Sequence, residues 1–334
     1  MTPFVSGHVN SLIEDIRLLE AFVTAPLGLY SDIKMLRESL SFPDAGELSR
    51  EELQERRMAY GALADDPGRL ALAVIASLES SISVLENVSG EPELTALQSG
   101  WMPRARKVLD RAHQRVSGEM RDKIAAGIRG LYVIVDPEAT QGRPVVHIAL
   151  AALKGGTSVL QLRDKVEDKG QALALARQIK ALCDEYGALF IMNDDADIAA
   201  LSGAHGLHVG QTDLPVAEAR RVLSPVQIVG RSNNGVQESL DSQAQGADYI
   251  AVGAIYATTT MGKSGRTALG PEMIAKVKER VNQPIVAIGG INAGNIADVA
   301  RAGADCICVV SAVTFAADPE AAARGLVESI QNAK

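Results

Sequence analysis

From Gly130 to the C-terminus, short β-branched and apolar runs alternate with segments of helical composition, and this limits the fold more than any other feature. The runs are Leu131–Val135, Val159–Arg163, Leu189–Asn193, Gly206–Val209, Gln227–Gly230, Tyr249–Gly253, Pro284–Gly289 and Cys306–Val310. Between and after them lie helical stretches at 143–154, 168–186, 195–202, 214–223, 235–245, 271–281, 293–302 and 319–332. Strands buried on both faces belong to parallel sheets covered by helices. Eight such units within about 200 residues suit a (β/α)8 TIM barrel. The rival, an open doubly wound sheet, usually follows its first strand with a glycine-rich dinucleotide turn. Here the first strand runs into Val135-Asp136-Pro137 instead. Gly155-Gly156, Gly203, Gly246 and Gly303 recur just before strands, as helix-ending punctuation should.

The preceding region has a different rhythm. Leu12, Ile16, Leu19 and Val23 form one helical stripe, and Leu78, Ile82 and Leu85 form another. Laying Ser11–Val23 over Ser77–Ser89 pairs Ser11 with Ser77, Leu12 with Leu78, Ile16 with Ile82, Leu19 with Leu85 and Glu20 with Glu86. Either a duplicated helical hairpin or the coincidences of helical patterning would give these matches. Ser41–Asp44 and Asp65–Gly68 read as turns, and a further helix is expected from Pro103 to Val116. The expected architecture is α/β: an all-α domain over 1–125, then a (β/α)8 barrel over 126–334.

With aromatics at only 4% of 334 residues, Ala, Val, Ile and Leu must fill the core. A net charge of −8 without a basic stripe argues against nucleic-acid binding. Cys306 and Cys308 are two apart in an apolar run and Cys183 sits in a helical one, so buried reduced thiols are expected. Residues Met1–Ile16 lack the basic-then-apolar order of a secretory leader, and no apolar run is expected to reach membrane-spanning length. The expectation is a cytoplasmic protein without a membrane partner.

In a barrel, chemistry sits where strands end. Alternation sends Gln161, Arg163 and Lys165 to one face at the end of the second run. Two cations and an amide together there suggest a clamp for a polyanion, and a structural salt bridge to a neighbouring strand is the alternative. Asp194 and Asp213 end the third and fourth runs, and two carboxylates facing such a clamp suit a Mg²⁺-bound diphosphate. Asp195 reads as a helix N-cap, a role also open to Asp213, and His208 is as readily an internal histidine as a ligand. Ser232 is a neutral donor at the mouth, and the long loop from Thr258 to Gly270 carries glycines that permit closure. Gly289-Gly290-Ile291-Asn292 and Val310-Ser311-Ala312 offer backbone N–H groups for a phosphate after the seventh and eighth strands.

In order, Gln161-x-Arg163-x-Lys165, Asn193-Asp194, Gly206-Leu-His-Val-Gly-Gln-x-Asp213, Gly230-x-Ser232, Thr258-x-Thr260, Gly289-Gly290-Ile291 and Val310-Ser311 resemble the thiamine phosphate synthase family over about Gly130–Ile330. The resemblance implies a transferase of thiamine biosynthesis that joins hydroxymethylpyrimidine diphosphate to thiazole phosphate with release of pyrophosphate. It implies that Gln161, Arg163, Lys165, Asn193 and Ser232 hold the diphosphate substrate, that Asp194 and Asp213 bind its Mg²⁺, and that Thr258, Thr260, Gly290, Val310 and Ser311 hold the thiazole phosphate. Arg163, Lys165 and Ser232 would carry catalysis. The family lysine that usually follows Thr-x-Thr is Met261 here, and Lys263, two residues on, is the candidate replacement. Asn234 stands where many relatives have His. The N-terminal region is similar to an uncharacterised helical domain fused upstream in some bacteria. A homo-oligomer remains open. A thiazole tautomerase-like isomerase would not need the diphosphate clamp; a non-catalytic sensor of thiazole or thiamine phosphate would bind without releasing pyrophosphate.

Overall fold

A computed structural model describes residues 2–22, 28–40, 48–258 and 267–333. The chain divides into two compact units, Met1–Met120 and Arg121–Lys334. The division falls inside the helix Met102–Ala125.

In the first unit, the two expected stripes lie on helices Pro3–Phe22 and Pro67–Glu86. Leu12, Ile16, Leu19, Leu78, Ile82 and Leu85 are all buried in one core, while Val23 and the turn at Ser41–Asp44 fall outside the described residues. Asp65–Gly68 is a helix start rather than a free turn. The Asp66 side chain accepts the N–H groups of Gly68 and Arg69, and Pro67 occupies the first helical position. Pro67–Glu86 corrects one expectation, because it is long and apolar enough by composition to cross a membrane. Its face bearing Leu70, Val74, Ile75, Leu78, Ile82 and Leu85 packs into the helical core. Asp15 is fully buried there and is met by Arg56 at 2.7 Å, Ser77 at 2.6 Å and Tyr60 at 3.3 Å. A carboxylate tolerates such burial only when paired and hydrogen-bonded.

The second unit is a closed parallel barrel in the order of the sequence. Its strands are β1 (Gly130–Val135), β2 (Val159–Leu162), β3 (Leu189–Asn193), β4 (Gly206–Val209), β5 (Ile228–Asn233), β6 (Tyr249–Val252), β7 (Ile285–Ile288) and β8 (Cys306–Val309). Alternation divides each strand cleanly. Leu131, Val133, Val135, Leu160, Leu162, Phe190 and Met192 point outward and share a core with the helices. Tyr132, Ile134, Val159, Ile191, Ile228, Tyr249, Cys306 and Cys308 fill the barrel itself. All three cysteines are buried free thiols. Gly203 takes the left-handed conformation after helix Ala196–Ser202, and the N–H of Ala204 returns to the Ala199 carbonyl.

β5 continues three residues beyond the expected Gly230. The Asn233 amide satisfies itself on the carbonyls of Arg231 and Ala251 and accepts from Ser242, so a polar residue can stay in the sheet. Ser232 therefore sits within a strand, on the inward-facing side of β5.

Candidate functional site

Inward-facing positions at the C-terminal ends of β1–β5 bring together Asp136, Gln161, Arg163, Asn193, His208 and Ser232. Arg163 follows β2 directly, and its backbone N–H still bonds the Val135 carbonyl at 3.0 Å. That bond carries its guanidinium to Asp136, a carboxylate only 1% exposed, with which it pairs. Asp136 also accepts the Glu138 N–H at 2.9 Å, which fixes the carboxylate by the backbone of its own turn.

Lys165 pairs with Asp194 at 2.7 Å. The two cations thus face protein carboxylates on neighbouring strands, so the salt-bridge reading and the clamp reading describe the same residues. Asp194 has φ +58°, a left-handed conformation that Asp tolerates better than most side chains. The Asp194 carboxyl interacts with both Lys165 and Asp213. Burial lifts the Asp194 carboxyl above the ordinary carboxylate range; Lys165 opposes the shift and Asp213 adds to it. Asp213 accepts the Gly210 N–H at 2.8 Å, which ties its own loop, and the N-cap position of helix Val216–Val222 is Pro215, without a side-chain capping bond. Asp195 holds the expected N-cap position, its carbonyl accepting the Ala199 N–H at 2.9 Å, but its side chain makes no capping bond and turns to Lys169 at 3.2 Å. Two carboxylates converging from adjacent loops repel, and a divalent cation relieves that repulsion, so the pair fits Mg²⁺. Among the described residues no group of three or more His, Cys, Asp or Glu is arranged to hold a metal.

Gln161 and Ser232 lie at the two ends of a buried polar chain. Gln161 Nε2 donates to the Tyr132 hydroxyl at 2.8 Å, and Tyr132 and Tyr249 share a hydrogen bond of 3.4 Å. The Tyr249 hydroxyl is 3.0 Å from His208 Nδ1, and His208 Nε2 is 2.9 Å from Ser232 Oγ. Burial pushes both phenols upward, so each keeps its proton. His208 is thus an internal histidine that touches the site through Ser232.

At the other side of the mouth, Gly289 and Gly290 have φ +105° and +64°. A Cβ on Gly289 would lie 2.5 Å from the Ala254 Cβ, and one on Gly290 would lie 2.6 Å from the Ala257 carbonyl oxygen. Only glycine fits both the conformation and the space. Asn295 closes the turn from below, accepting the Asn292 N–H at 2.8 Å and donating to the Gly290 carbonyl at 3.0 Å. After β8, Val310 is buried and precedes a one-turn helix that begins at Ser311. The first N–H groups of a helix have no acceptor within it, so they are open to an anion. Arg143 anchors this segment by donating to the carbonyls of Thr314 and Ala316.

Asn193 is buried at the end of β3, and Thr258 is half-buried after β6. Thr260, Met261 and Lys263 lie outside the described residues. Asn234 bonds Glu238 through both its backbone and its amide. Sequence reasoning missed Asp136, Tyr132 and Tyr249. For Asp136 the signal was present: it lies two residues past Ile134, on the inward side of β1.

Residues 131–313 match the family model described as thiamine monophosphate synthase. A curated thiamine-phosphate synthase of Shouchella clausii is 41% identical over 206 residues, covering 61% of this chain and 97% of that relative. Another, from Thermosynechococcus vestitus, is 43% identical over 200 residues, covering 60% of this chain and 55% of the relative. Among solved structures, a thiamine phosphate pyrophosphorylase from Pyrococcus furiosus matches with a TM-score of 0.57 at 32% identity, covering 63% of this chain and 98% of that one.

Proposed function

The chain belongs to the thiamine monophosphate synthase family, and from that premise we propose that its barrel joins hydroxymethylpyrimidine diphosphate to thiazole phosphate, giving thiamine phosphate and pyrophosphate. The observation that carries this reading is the Lys165–Asp194–Asp213 cluster beside Arg163, at the same strand ends as the Gly289-Gly290 turn. One side is suited to a metal-bound diphosphate, and the other to a monophosphate.

Arg163 and Lys165 stabilise the charge that builds on the diphosphate as its bond to the pyrimidine methylene breaks. Ser232 adds a neutral hydrogen bond, and Gln161 and Asn193 orient the ring. Mg²⁺, carried by Asp194 and Asp213, would offset further negative charge on the leaving group. Gly290, Val310 and Ser311, with Thr258 and Thr260, hold the thiazole phosphate so that the ring nitrogen meets the pyrimidine cation. The site asks for no nucleophilic side chain, because the second substrate is the nucleophile. Lys263 takes the place of the family lysine lost at Met261, and Lys263→Ala is expected to lower turnover.

The deciding experiment supplies both substrates and Mg²⁺ to the purified protein and measures pyrophosphate and thiamine phosphate. Equal, Mg²⁺-dependent formation of the two supports the reading. Binding without pyrophosphate release would make the protein a sensor, and isomerisation of a thiazole phosphate alone would make it an isomerase.

A further inference from the structure

The buried chain from Gln161 to Ser232 has a direction. An amide N–H₂ can only donate, so the Tyr132 oxygen accepts from Gln161 at 2.8 Å. The single Tyr132 proton then goes to the Tyr249 oxygen, and the Tyr249 proton to His208 Nδ1. With Nδ1 accepting, the imidazole proton sits on Nε2 and is donated to Ser232 Oγ. Ser232 receives a hydrogen bond from behind, and its own proton is left for the mouth. Reversing the order would bring two donors, Gln161 and Tyr249, onto the Tyr132 oxygen and leave the Tyr132 proton facing both. Tyr132 and Tyr249 are at most 1% exposed, so a hydroxyl left unpaired there has no water to replace the lost bond.

Resting on the synthase reading, we propose that Tyr132, Tyr249 and His208 are positioning residues that impose one proton order on the site. Ser232 is thereby a donor toward the leaving diphosphate, and Gln161 presents its carbonyl oxygen as the acceptor for an N–H of the pyrimidine substrate. The two substrate-binding groups lie on β2 and β5, and the chain ties their roles together through the barrel core. A hydroxyl that needs no reorientation during bond cleavage is pre-organised for the developing charge.

The test is the tautomer of His208, read by ¹⁵N-histidine NMR on the full chain, with its signals assigned by their loss in His208→Asn. The expected result in the wild type is a protonated Nε2 and an unprotonated Nδ1. Tyr249→Phe keeps the ring and removes the donor. It should populate the Nδ1-protonated form and lower kcat about tenfold, with KM for the pyrimidine diphosphate changed less than about threefold. A protonated Nδ1 in the wild type overturns the proposal, as does a Tyr249→Phe protein whose tautomer or kcat is unchanged. The wild-type spectrum stands even if that variant fails to fold. Because the spectrum is independent of product formation, loss of the synthase reading would be seen separately, in the two-substrate assay.

Discussion

The ring of Tyr249 occupies the space that a side chain on Gly230 would fill. Gly230 is the register partner of both His208 on β4 and Tyr249 on β6. A Cβ built on Gly230 would fall inside the Tyr249 ring carbons. The missing side chain lets Tyr249 pass over β5 and stack on His208, with ring centroids 5.7 Å apart.

Gly230→Ala should therefore be disruptive although it adds one methyl group. Overpacking a filled core costs about 1–3 kcal/mol, and here the neighbour is a buried ring with a fixed hydroxyl. The urea midpoint is expected to fall by the equivalent of about 2 kcal/mol or more. A midpoint equal to the wild type would show that Tyr249 has room to move.

The Arg163–Asp136 pair predicts unequal effects from its two members. Arg163→Met strands a carboxylate that is 1% exposed, and breaking such a pair costs about 3–5 kcal/mol. Asp136→Asn keeps the bond to the Glu138 N–H and should cost less stability. It should still lower turnover about tenfold, because Arg163 loses the partner that aims it. Denaturant melts and steady-state rates on both proteins separate the two effects, and equal stabilities would contradict this account.

The converging carboxylates predict a metal phenotype. Asp194→Asn and Asp213→Asn should each raise the Mg²⁺ concentration for half-maximal turnover by about tenfold or more. Asp195→Asn, whose carboxylate faces Lys169, should leave that concentration unchanged. Metal titrations of pyrophosphate release make the comparison, and an Asp213 variant with wild-type metal dependence would remove it from the ligand set.

His205 gives the barrel a pH dependence. Its Nδ1 accepts the Phe190 N–H at 2.9 Å, and burial, with Lys180 adding and Asp184 opposing, holds the imidazole below its ordinary value of 6.5. The unfolded chain thus binds this proton more readily than the fold. The stabilisation is complete above pH 6.5 and is lost as pH falls through the lowered folded value. Thermal melts from about pH 7 to about pH 5 should show a steeper loss in the wild type than in His205→Asn. Parallel slopes would exclude this residue.

A chain starting at Arg121, the first residue of the second compact unit, should fold and keep its turnover. The Shouchella clausii relative is matched over 97% of its own length by 61% of this chain. Circular dichroism and the two-substrate assay check both parts, and an unfolded or inactive product would assign the helical region a necessary role.

The barrel was legible because its signal is local and repeated. The strands announce themselves by short apolar, largely β-branched runs, β2, β4, β6 and β8 after helix-ending glycines as well, and the helices between them by their apolar period. Helix Arg50–Met58 gave no such signal, since none of its residues is buried. It rests on a capping box in which Ser49 and Glu52 bond each other's backbone N–H groups, and that box is easily passed over without an apolar stripe after it.

Among the site residues, the sequence by itself determined chemistry and approximate place. The order of strand ends put Gln161, Arg163, Lys165, Asn193, Asp194, Asp213 and Ser232 at one mouth, because a parallel barrel points every strand end the same way. Partnership was decided only by the tertiary structure. That Arg163 faces Asp136, that Lys165 faces Asp194, and that Gln161 reaches Ser232 through two tyrosines and a histidine depend on register between strands. Register is a property of pairs of strands closing around a core, and no single stretch of sequence carries it.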